Sequence, residues 1–297
     1  MLTIKKLMLN ITITTGLWCV LCSLSILADA SSGPVWKVSK GQQSLFVGGT
    51  IHVLSPSDYP LPSVFDQAYQ QADVLVFEAD VAQMQTAEAQ SLVIEKTTYS
   101  DGSTLKQALS AETYAVLTQF LSERGGDVSS LDQFKPGILT ILLTLNELQR
   151  LGQSGQGVDA FYDQQAIADK KPRMFLETIE QQLDFLGSMG EGQEDSLVLH
   201  TLDELQDLSS AMLQLKSAWK KGDNEALMAV ALIPWMADFP DIYQTLLVQR
   251  NNAWLPQIEA MLVTPAVEYV LVGALHLAGK DGILEQLRGR GYQVEQL

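Results

Sequence analysis

A short pattern that occurs twice, near opposite ends of the chain, constrains its fold most. Gly49-Thr50-Ile51-His52 follows the apolar run 44–48, and Gly273-Ala274-Leu275-His276 follows Glu268-Tyr269-Val270-Leu271-Val272. Each time, a predicted β-strand ends in Gly-x-x-His, and the chain contains only three histidines. Histidine is the commonest metal ligand and a frequent acid–base group. The repetition therefore predicts one site that is built from both ends of the sequence.

The first 30 residues have the pattern of an export signal. Lys5 and Lys6 precede an uncharged stretch from Leu7 to Ala28, and Ala28-Asp29-Ala30 forms a small-x-small cleavage motif. We expect cleavage after Ala30 and a periplasmic or secreted protein of residues 31–297. The alternative is an uncleaved membrane anchor, because 22 uncharged residues are just long enough to span a bilayer.

The remaining chain is acidic and contains no cysteine. Without residues 1–30 it has 17 basic and 34 acidic residues, and both cysteines, Cys19 and Cys22, lie within the removed segment. Disulfides and thiol catalysis are therefore excluded from the mature protein. A surface of this charge repels nucleic acid and anionic lipid, so we expect neither as a partner.

Both ends of the chain predict strand–helix–strand units. At the N-terminal end, runs 35–39 and 44–48 are predicted strands, 63–71 a helix and 73–78 a buried strand. At the C-terminal end, the order is strand 268–272, helix 280–290 and strand 292–295. Consecutive strands of such βαβ units run parallel. The sequence between the two units mostly predicts helices, with one β-like run at 172–177. We predict an α/β fold: a mixed, mostly parallel sheet with a large helical middle section.

Four polar side chains follow predicted strands, where ligands bind in open α/β sheets. They are His52, Glu78, Glu177 and His276. If their strands are parallel, two imidazoles and two carboxylates converge, which suits either a divalent metal or metal-free acid–base catalysis. The alternative for each is structural: a satisfied polar residue, or a charge near the start of a helix.

Two further polar residues are ambiguous from pattern alone. Arg250 lies beside an apolar run, where it could orient a carboxylate, stabilise an oxyanion or belong to a helix surface. Asp159, after Gly157-Val158, is most simply a helix N-cap. The third histidine, His200, has no glycine framework and is interpreted as structural.

The chain resembles the TraB/GumN family, which includes the Tiki proteins, over nearly all of residues 31–297. The similarity lies in several short blocks in a fixed order. They are Gly49–His52, Leu61-Pro62, Ala72–Glu78, Gly157–Asp159, Leu176–Thr178, Arg250–Asn252, Val272–Leu277 and Gly291–Val294.

This resemblance implies an α/β fold of the ChaN-like and erythromycin-esterase-like superfamily, and a metal-dependent protease activity like that of the Tiki branch. It implies Mn²⁺ or Co²⁺ as the metal, and Zn²⁺ is also compatible with nitrogen and oxygen ligands. His52, His276 and Glu78 are then the predicted metal ligands, and Glu78, Glu177 and Arg250 the predicted catalytic residues. The predicted function is an exported, peptidase-like metallohydrolase with a peptide or small-molecule substrate. The alternative is a periplasmic protein that binds such a molecule without turnover.

Overall fold

A six-stranded sheet organises residues 32–297, the part of the chain that the computed structural model describes. The predicted export signal and its cleavage site lie outside these residues. The strands are β1 (Val35–Lys40), β2 (Gln43–Thr50), β3 (Val53–Leu54), β4 (Val74–Phe77), β5 (Gly155–Gln156), β6 (Arg173–Phe175), β7 (Glu268–Gly273) and β8 (Gln293–Gln296). The sheet has the order β6-β4-β7-β2-β1-β8, and β3 pairs with β5 in a separate two-stranded ribbon.

Helices fill most of the chain between β4 and β7. The α-helices are α1 (Ser63–Gln71), α2 (Ala87–Thr97), α3 (Leu105–Ala108), α4 (Ala111–Ser122), α5 (Pro136–Arg150), α6 (Val158–Asp169), α7 (Ile179–Ser188), α8 (Glu194–Glu204), α9 (Leu208–Lys221), α10 (Asn224–Leu227), α11 (Ile233–Asp238), α12 (Pro240–Tyr243), α13 (Arg250–Met261) and α14 (Ile283–Gly289). Two π-helical segments, Met228–Leu232 and Gln244–Gln249, connect α10 to α11 and α12 to α13.

The strand directions confirm the predicted fold class. Strands β6, β4, β7 and β2 are parallel to one another, whereas β1 runs antiparallel to its neighbours β2 and β8. The two strands of the first βαβ unit, β2 and β4, are parallel but not adjacent, because β7 lies between them. A strand from the C-terminal end of the chain thus lies at the centre of the sheet, between two strands from the N-terminal end.

Some predicted boundaries were wrong. The run 172–177 forms a strand of only three residues, and that strand lies at the edge of the sheet. The last helix begins at Ile283, not at residue 280, because Gly282 is its N-cap. Thr178 and Gln181 form a capping box at the start of α7.

The sheet is buried on both faces. Along β7, Tyr269 and Leu271 pack into one apolar cluster, whereas Val270 and Val272 pack into another. The first cluster includes Trp219 of α9 and the second includes Trp254 of α13. This alternation explains why β7 reads as an unbroken apolar run, as expected for a strand that is covered on both sides. The helical section has its own core, which includes Leu105, Leu117, Leu139, Leu143 and Val198.

Within residues 32–297, no single helix is both long enough and apolar enough to cross a membrane. The segments 224–238 and 240–261 meet these limits only when they are combined, and they bend by 120° at the break between them.

Candidate functional site

The carboxyl ends of the parallel strands bring both Gly-x-x-His motifs together. His52 follows β2, Glu78 follows β4, and His276 follows β7. The Nε2 atom of His276 lies 4.0 Å from Oε1 of Glu78. A β-carbon at Gly273 would lie 3.3 Å from Glu78 Oε1, 3.5 Å from His276 Cδ2 and 3.7 Å from His52 Nε2. The three predicted metal ligands therefore surround the position where Gly273 has no side chain.

Arg250, at the start of α13, lies at the centre of this group. Its Nε and Nη2 donate to both oxygens of Glu177, at 3.1 and 2.7 Å, and Nη2 also donates to Glu78 Oε2 at 2.6 Å. Its Nη1 donates to His276 Nε2 at 3.0 Å and to the carbonyl of Leu246 at 3.2 Å. A guanidinium has five N–H groups, and all five are used by these contacts. The arrangement suits the role of orienting carboxylates, and an oxyanion would have to displace one of these bonds.

The ring of His276 is held in one tautomer by Asn251. The Asn251 amide nitrogen donates to the carbonyls of His276 and Asp281, at 3.2 and 2.9 Å, so its Oδ1 faces the ring. Nδ1 of His276, 2.7 Å from this oxygen, is therefore the donor, and Nε2 keeps its lone pair. Burial lowers the pKa of His276 to about 3, assisted by the charge of Arg250 and opposed by that of Glu78. The imidazole is neutral and 6% exposed.

His52 lies at the surface, with its side chain 61% exposed. Its Nδ1 is 3.2 Å from Oδ2 of Asp159, so Nε2 is the nitrogen that faces Gly273. Packing around the ring lowers the pKa of His52, but Asp159 and Glu78 raise it more, to above its ordinary value. Water screens these charges at so exposed a ring, which weakens the effect of both carboxylates.

The N-cap interpretation of Asp159 was wrong. Gly157 is the N-cap of α6, and Asp159 lies in the first turn, where its carboxylate reaches His52. A β-carbon at Gly157 would lie 2.3 Å from the His52 carbonyl oxygen. The glycine is thus required because the chain after β2 passes directly over the start of α6.

The two glutamates differ in environment. Burial raises the pKa of Glu78, but His276, Arg250 and His52 lower it more, to about 2. The backbone N–H of Gly273 also donates to Glu78 Oε1 at 2.6 Å. For Glu177, burial dominates and raises the pKa despite the bonds from Arg250. Glu78 is therefore an ionised carboxylate at neutral pH, with one oxygen directed towards both histidines.

A cleft of about 390 Å³ opens beside these residues. Its polar lining includes Thr50, His52, Glu78, Asp159 and Arg250, whereas Glu177 and His276 lie outside it. Two buried oxygens of the lining, Oγ1 of Thr50 and Oδ1 of Asp159, have no hydrogen-bond partner within residues 32–297. Glu78 is thus the predicted catalytic carboxylate that reaches the cleft, and Glu177 lies behind Arg250.

Sequence reasoning missed two polar residues of the site, Asn251 and Thr50. Asn251 directly follows Arg250 and forms part of the Arg-Asn-Asn block, but its pattern gave no indication that it contacts His276. Thr50 lies inside the first Gly-x-x-His motif. A polar residue within or beside a motif that carries chemistry is the signal that could have found both. His200 lies apart on α8, where Nε2 is 3.2 Å from Glu204.

The candidate ligands, two imidazoles and a carboxylate, are of the chemical types that bind divalent metal ions. Both imidazoles use Nδ1 for an oxygen partner, which leaves Nε2 as the nitrogen available to a metal, and metal-binding histidines are commonly oriented in this way. Within the described residues, however, no three His, Cys, Asp or Glu side chains are grouped so that they could hold a metal as they stand. At His276, moreover, Arg250 Nη1 occupies the lone pair that a metal would need. Binding therefore requires Arg250 to give up that hydrogen bond.

Comparisons with known proteins show which family the chain is similar to. A family model described as the TraB/PrgY/gumN family matches residues 34–296. The uncharacterized protein YbaP of Escherichia coli K12 is 28% identical over 253 residues, which cover 84% of this chain and 89% of that protein. YbaP of Shigella flexneri, also uncharacterized, is 28% identical over 245 residues, 81% of this chain and 86% of that protein. No solved structure matches.

Proposed function

We propose that this chain, which belongs to the TraB/PrgY/gumN family, is a metal-dependent hydrolase that acts on peptides. The observation that carries the proposal is the convergence of His52, Glu78 and His276 around Gly273. Each comes from the end of a different parallel strand, and each is positioned by a further polar contact. Side chains that are fixed in this way are typical of catalytic centres rather than of a surface.

His52, His276 and Glu78 would hold the ion, and Mn²⁺ or Co²⁺ is the expected metal, with Zn²⁺ also suited to these ligands. Such an ion supplies Lewis acidity and lowers the pKa of bound water towards neutrality.

The protein's own groups have distinct roles in this proposal. Glu78 is ionised and reaches the cleft, so it is positioned to accept a proton from the attacking water. Asp159 holds the ring of His52, and Asn251 holds that of His276. Arg250 and Glu177 form the support behind Glu78, because Arg250 donates to both carboxylates. If Arg250 also binds an oxyanion, it does so after releasing the nitrogen of His276.

Metal analysis of purified protein tests the proposal. After loading with Mn²⁺ and removal of free ion, we expect one ion per chain in the wild type and at least about tenfold weaker binding in His52→Ala and His276→Ala. The variant His200→Ala is the matched control, since His200 lies on α8 away from the cleft. Equal metal content in all four proteins would contradict the metal site.

A second candidate function is capture of a peptide or small molecule without turnover. It is favoured by one observation: every N–H of Arg250 already has a partner, which leaves no free guanidinium donor for a transition state. A peptide library incubated with the Mn²⁺-loaded protein distinguishes the two. New cleavage products that Glu78→Gln does not form support the hydrolase, whereas stoichiometric retention of intact peptide supports the binding protein.

We also propose that the protein is exported and cleaved after Ala30, on the basis of the charge and small-residue pattern of residues 1–30. The mass of the protein recovered from the periplasm tests this. A mature chain that begins at Ser31 supports cleavage, and an intact chain in the membrane fraction supports the anchor.

A further inference from the structure

A second concave surface lies between the helices, next to the cleft. This apolar groove has a volume of about 350 Å³ and is formed by side chains of α5, α7, α11 and the π-helical segment 244–249. Its apolar lining includes Ile141, Leu145, Leu186, Trp235, Leu246 and Leu247. Leu145 is 45% exposed, although its side chain is large and apolar.

The groove and the cleft share two walls. Leu186 of α7 and Leu246 of the π-helical segment line both. The carbonyl of Leu246 accepts a hydrogen bond from Arg250 Nη1 at 3.2 Å, so this wall lies one helical turn from the centre of the catalytic group. A molecule that reaches Glu78 and extends past Leu246 would therefore next meet the apolar side chains of the groove.

The groove offers few free polar groups. The hydroxyl of Thr140 donates to the Gly137 carbonyl at 2.8 Å, and that of Thr144 donates to the Thr140 carbonyl at 2.8 Å. The hydroxyl of Tyr243 donates to Asp281 at 2.9 Å. With these groups engaged, the surface selects for apolar side chains rather than for hydrogen bonds. A cavity of about 150 Å³ holds one benzene, so the groove has room for about two groups of that size.

We propose that this groove is a specificity subsite that binds apolar side chains of the substrate peptide, on one side of the bond at the cleft. The occupant is the substrate itself, because the groove adjoins the cleft at Leu186 and Leu246, which line both. The inference rests on the proposed function, since it is the peptide in the cleft that extends into the groove. Substrates with two consecutive large apolar residues are then bound in preference to polar ones.

The test compares two fluorescent probes, dansyl-Leu-Leu-Leu-amide and dansyl-Ser-Ser-Ser-amide, by anisotropy with the purified mature protein. We expect the leucine probe to bind about tenfold or more tightly than the serine probe, because a leucine side chain removes apolar surface from water in the groove, whereas a serine hydroxyl finds no partner there. The variant Leu145→Glu should reduce the preference to less than about twofold. Leu145→Met should keep it, as should Leu213→Glu, which changes an exposed leucine of α9 outside the groove.

Equal binding of the two probes by the wild type, or an unchanged preference in Leu145→Glu, would overturn the subsite. So would displacement of the leucine probe by dansyl-undecanoic acid at a lower concentration than by unlabelled trileucine amide, which would identify an acyl-chain site. Cleavage by the Mn²⁺-loaded wild type is measured on an unlabelled peptide library. A probe preference without any cleavage removes the hydrolase and keeps the apolar site, whereas cleavage without a preference removes the subsite alone.

Discussion

At the scale of single residues, Gly273 is the position that allows the candidate ligands to meet. It pairs with Thr50 at the end of β2, and its missing side chain leaves the space between Glu78, His276 and His52 open. Its backbone torsion angles, φ −50° and ψ 134°, are accessible to any residue, so glycine is not required there for conformational reasons. Glycine is needed at this position because a side chain would occupy the space between the candidate ligands.

We therefore predict that Gly273→Ala folds but weakens the site. The added methyl group would lie 3.3 Å from Glu78 Oε1 and 3.7 Å from His52 Nε2, within the space that an ion or water would use. Mn²⁺ affinity, measured by titration calorimetry, should fall by about tenfold or more, because small displacements of ligands have large effects. Gly289→Ala is the control, since a β-carbon there would meet no atom within 4 Å. Unchanged affinity in Gly273→Ala would place the ion elsewhere.

The contact between His52 and Asp159 gives a second prediction at this scale. Asp159 orients an exposed imidazole that has much freedom of its own, so Asp159→Asn should weaken Mn²⁺ binding by about 10- to 100-fold. Asp203→Asn, on the exposed surface of α8, should have no effect. If the two variants bind Mn²⁺ equally well, Asp159 has no part in holding the ligand.

At the scale of elements, the π-helical segment 244–249 lies between the apolar groove and the candidate site, and its Leu246 lines both the groove and the cleft. A π-turn widens the helix, and such turns occur frequently at functional sites. Here the widened turn precedes Arg250 directly, and the carbonyl of Leu246 within it receives an N–H of Arg250. The apolar periodicity of this region predicts a continuous helix from 242 to 262, and it does not reveal the change of helix type because π-turns have no distinct side-chain pattern.

A buried ion pair holds the turn after β3 against α9, which leads to a prediction about the pH dependence of stability. Asp58 accepts hydrogen bonds from Lys216, from Ser55 and from Lys220, the last at 3.2 Å. Burial raises the pKa of Asp58, but the bonds from Lys216 and Ser55 lower it more, to well below its ordinary range. The ionised carboxylate therefore stabilises the folded state at neutral pH, and this contribution is lost as the pH falls below the unfolded value of about 4.

Asp58→Asn should accordingly lower the free energy of unfolding by about 3 kcal/mol at pH 7, because it leaves Lys216 buried beside an uncharged partner. The difference from wild type should narrow steadily between pH 5 and pH 3, where the wild-type carboxylate begins to lose its advantage. Urea unfolding at several pH values measures this, with Asp203→Asn as the control. If the difference in free energy of unfolding between Asp58→Asn and the wild type does not change with pH, the charge of Asp58 contributes nothing to stability.

At the scale of the whole molecule, the site combines distant parts of one chain. His52 and Glu78 come from the first βαβ unit, Glu177 from the edge strand, and Arg250 and His276 from the C-terminal end. The repeated Gly-x-x-His pattern predicted this meeting because equivalent ends of parallel strands lie at one edge of a sheet. It did not predict that β7 separates β2 from β4, since strand order depends on packing across the whole sheet.

The limits of sequence reasoning have physical reasons that particular residues illustrate. Asp159 has the position and type of an N-cap, and only the tertiary approach of the chain at His52 shows that Gly157 takes that place. Arg250 could be assigned to the site by its apolar neighbours, but its five contacts depend on groups up to 172 residues away. Local pattern thus predicted which strand ends lie together, whereas the supporting contacts required the fold.

The pairing of β8 with β1 places the two ends of the described chain side by side. The N–H of Gly33 donates to the carbonyl of Leu297 at 2.7 Å, and the N–H of Leu297 donates to the carbonyl of Val35 at 2.9 Å. A circular permutant that joins Leu297 to Gly33 through a short glycine-serine linker should therefore fold, if the new ends lie in an exposed turn. The turn at Gly192 is suitable, because it is open on all sides and lies between α7 and α8, away from the sheet.

We expect this permutant to melt cooperatively within about 5 °C of the wild type and to bind Mn²⁺ as the wild type does, since every strand end of the site is preserved. A second permutant, opened at Gly49, is the matched contrast. It cuts β2, where Trp219 donates to the Gly49 carbonyl at 2.7 Å, and it should not fold cooperatively. If the first permutant also fails to fold, the pairing of the chain ends at β1 and β8 does more than complete the sheet, because joining these ends by a linker then disrupts the fold. If the second permutant folds and binds metal, β2 does not need to be an unbroken strand for the site to form.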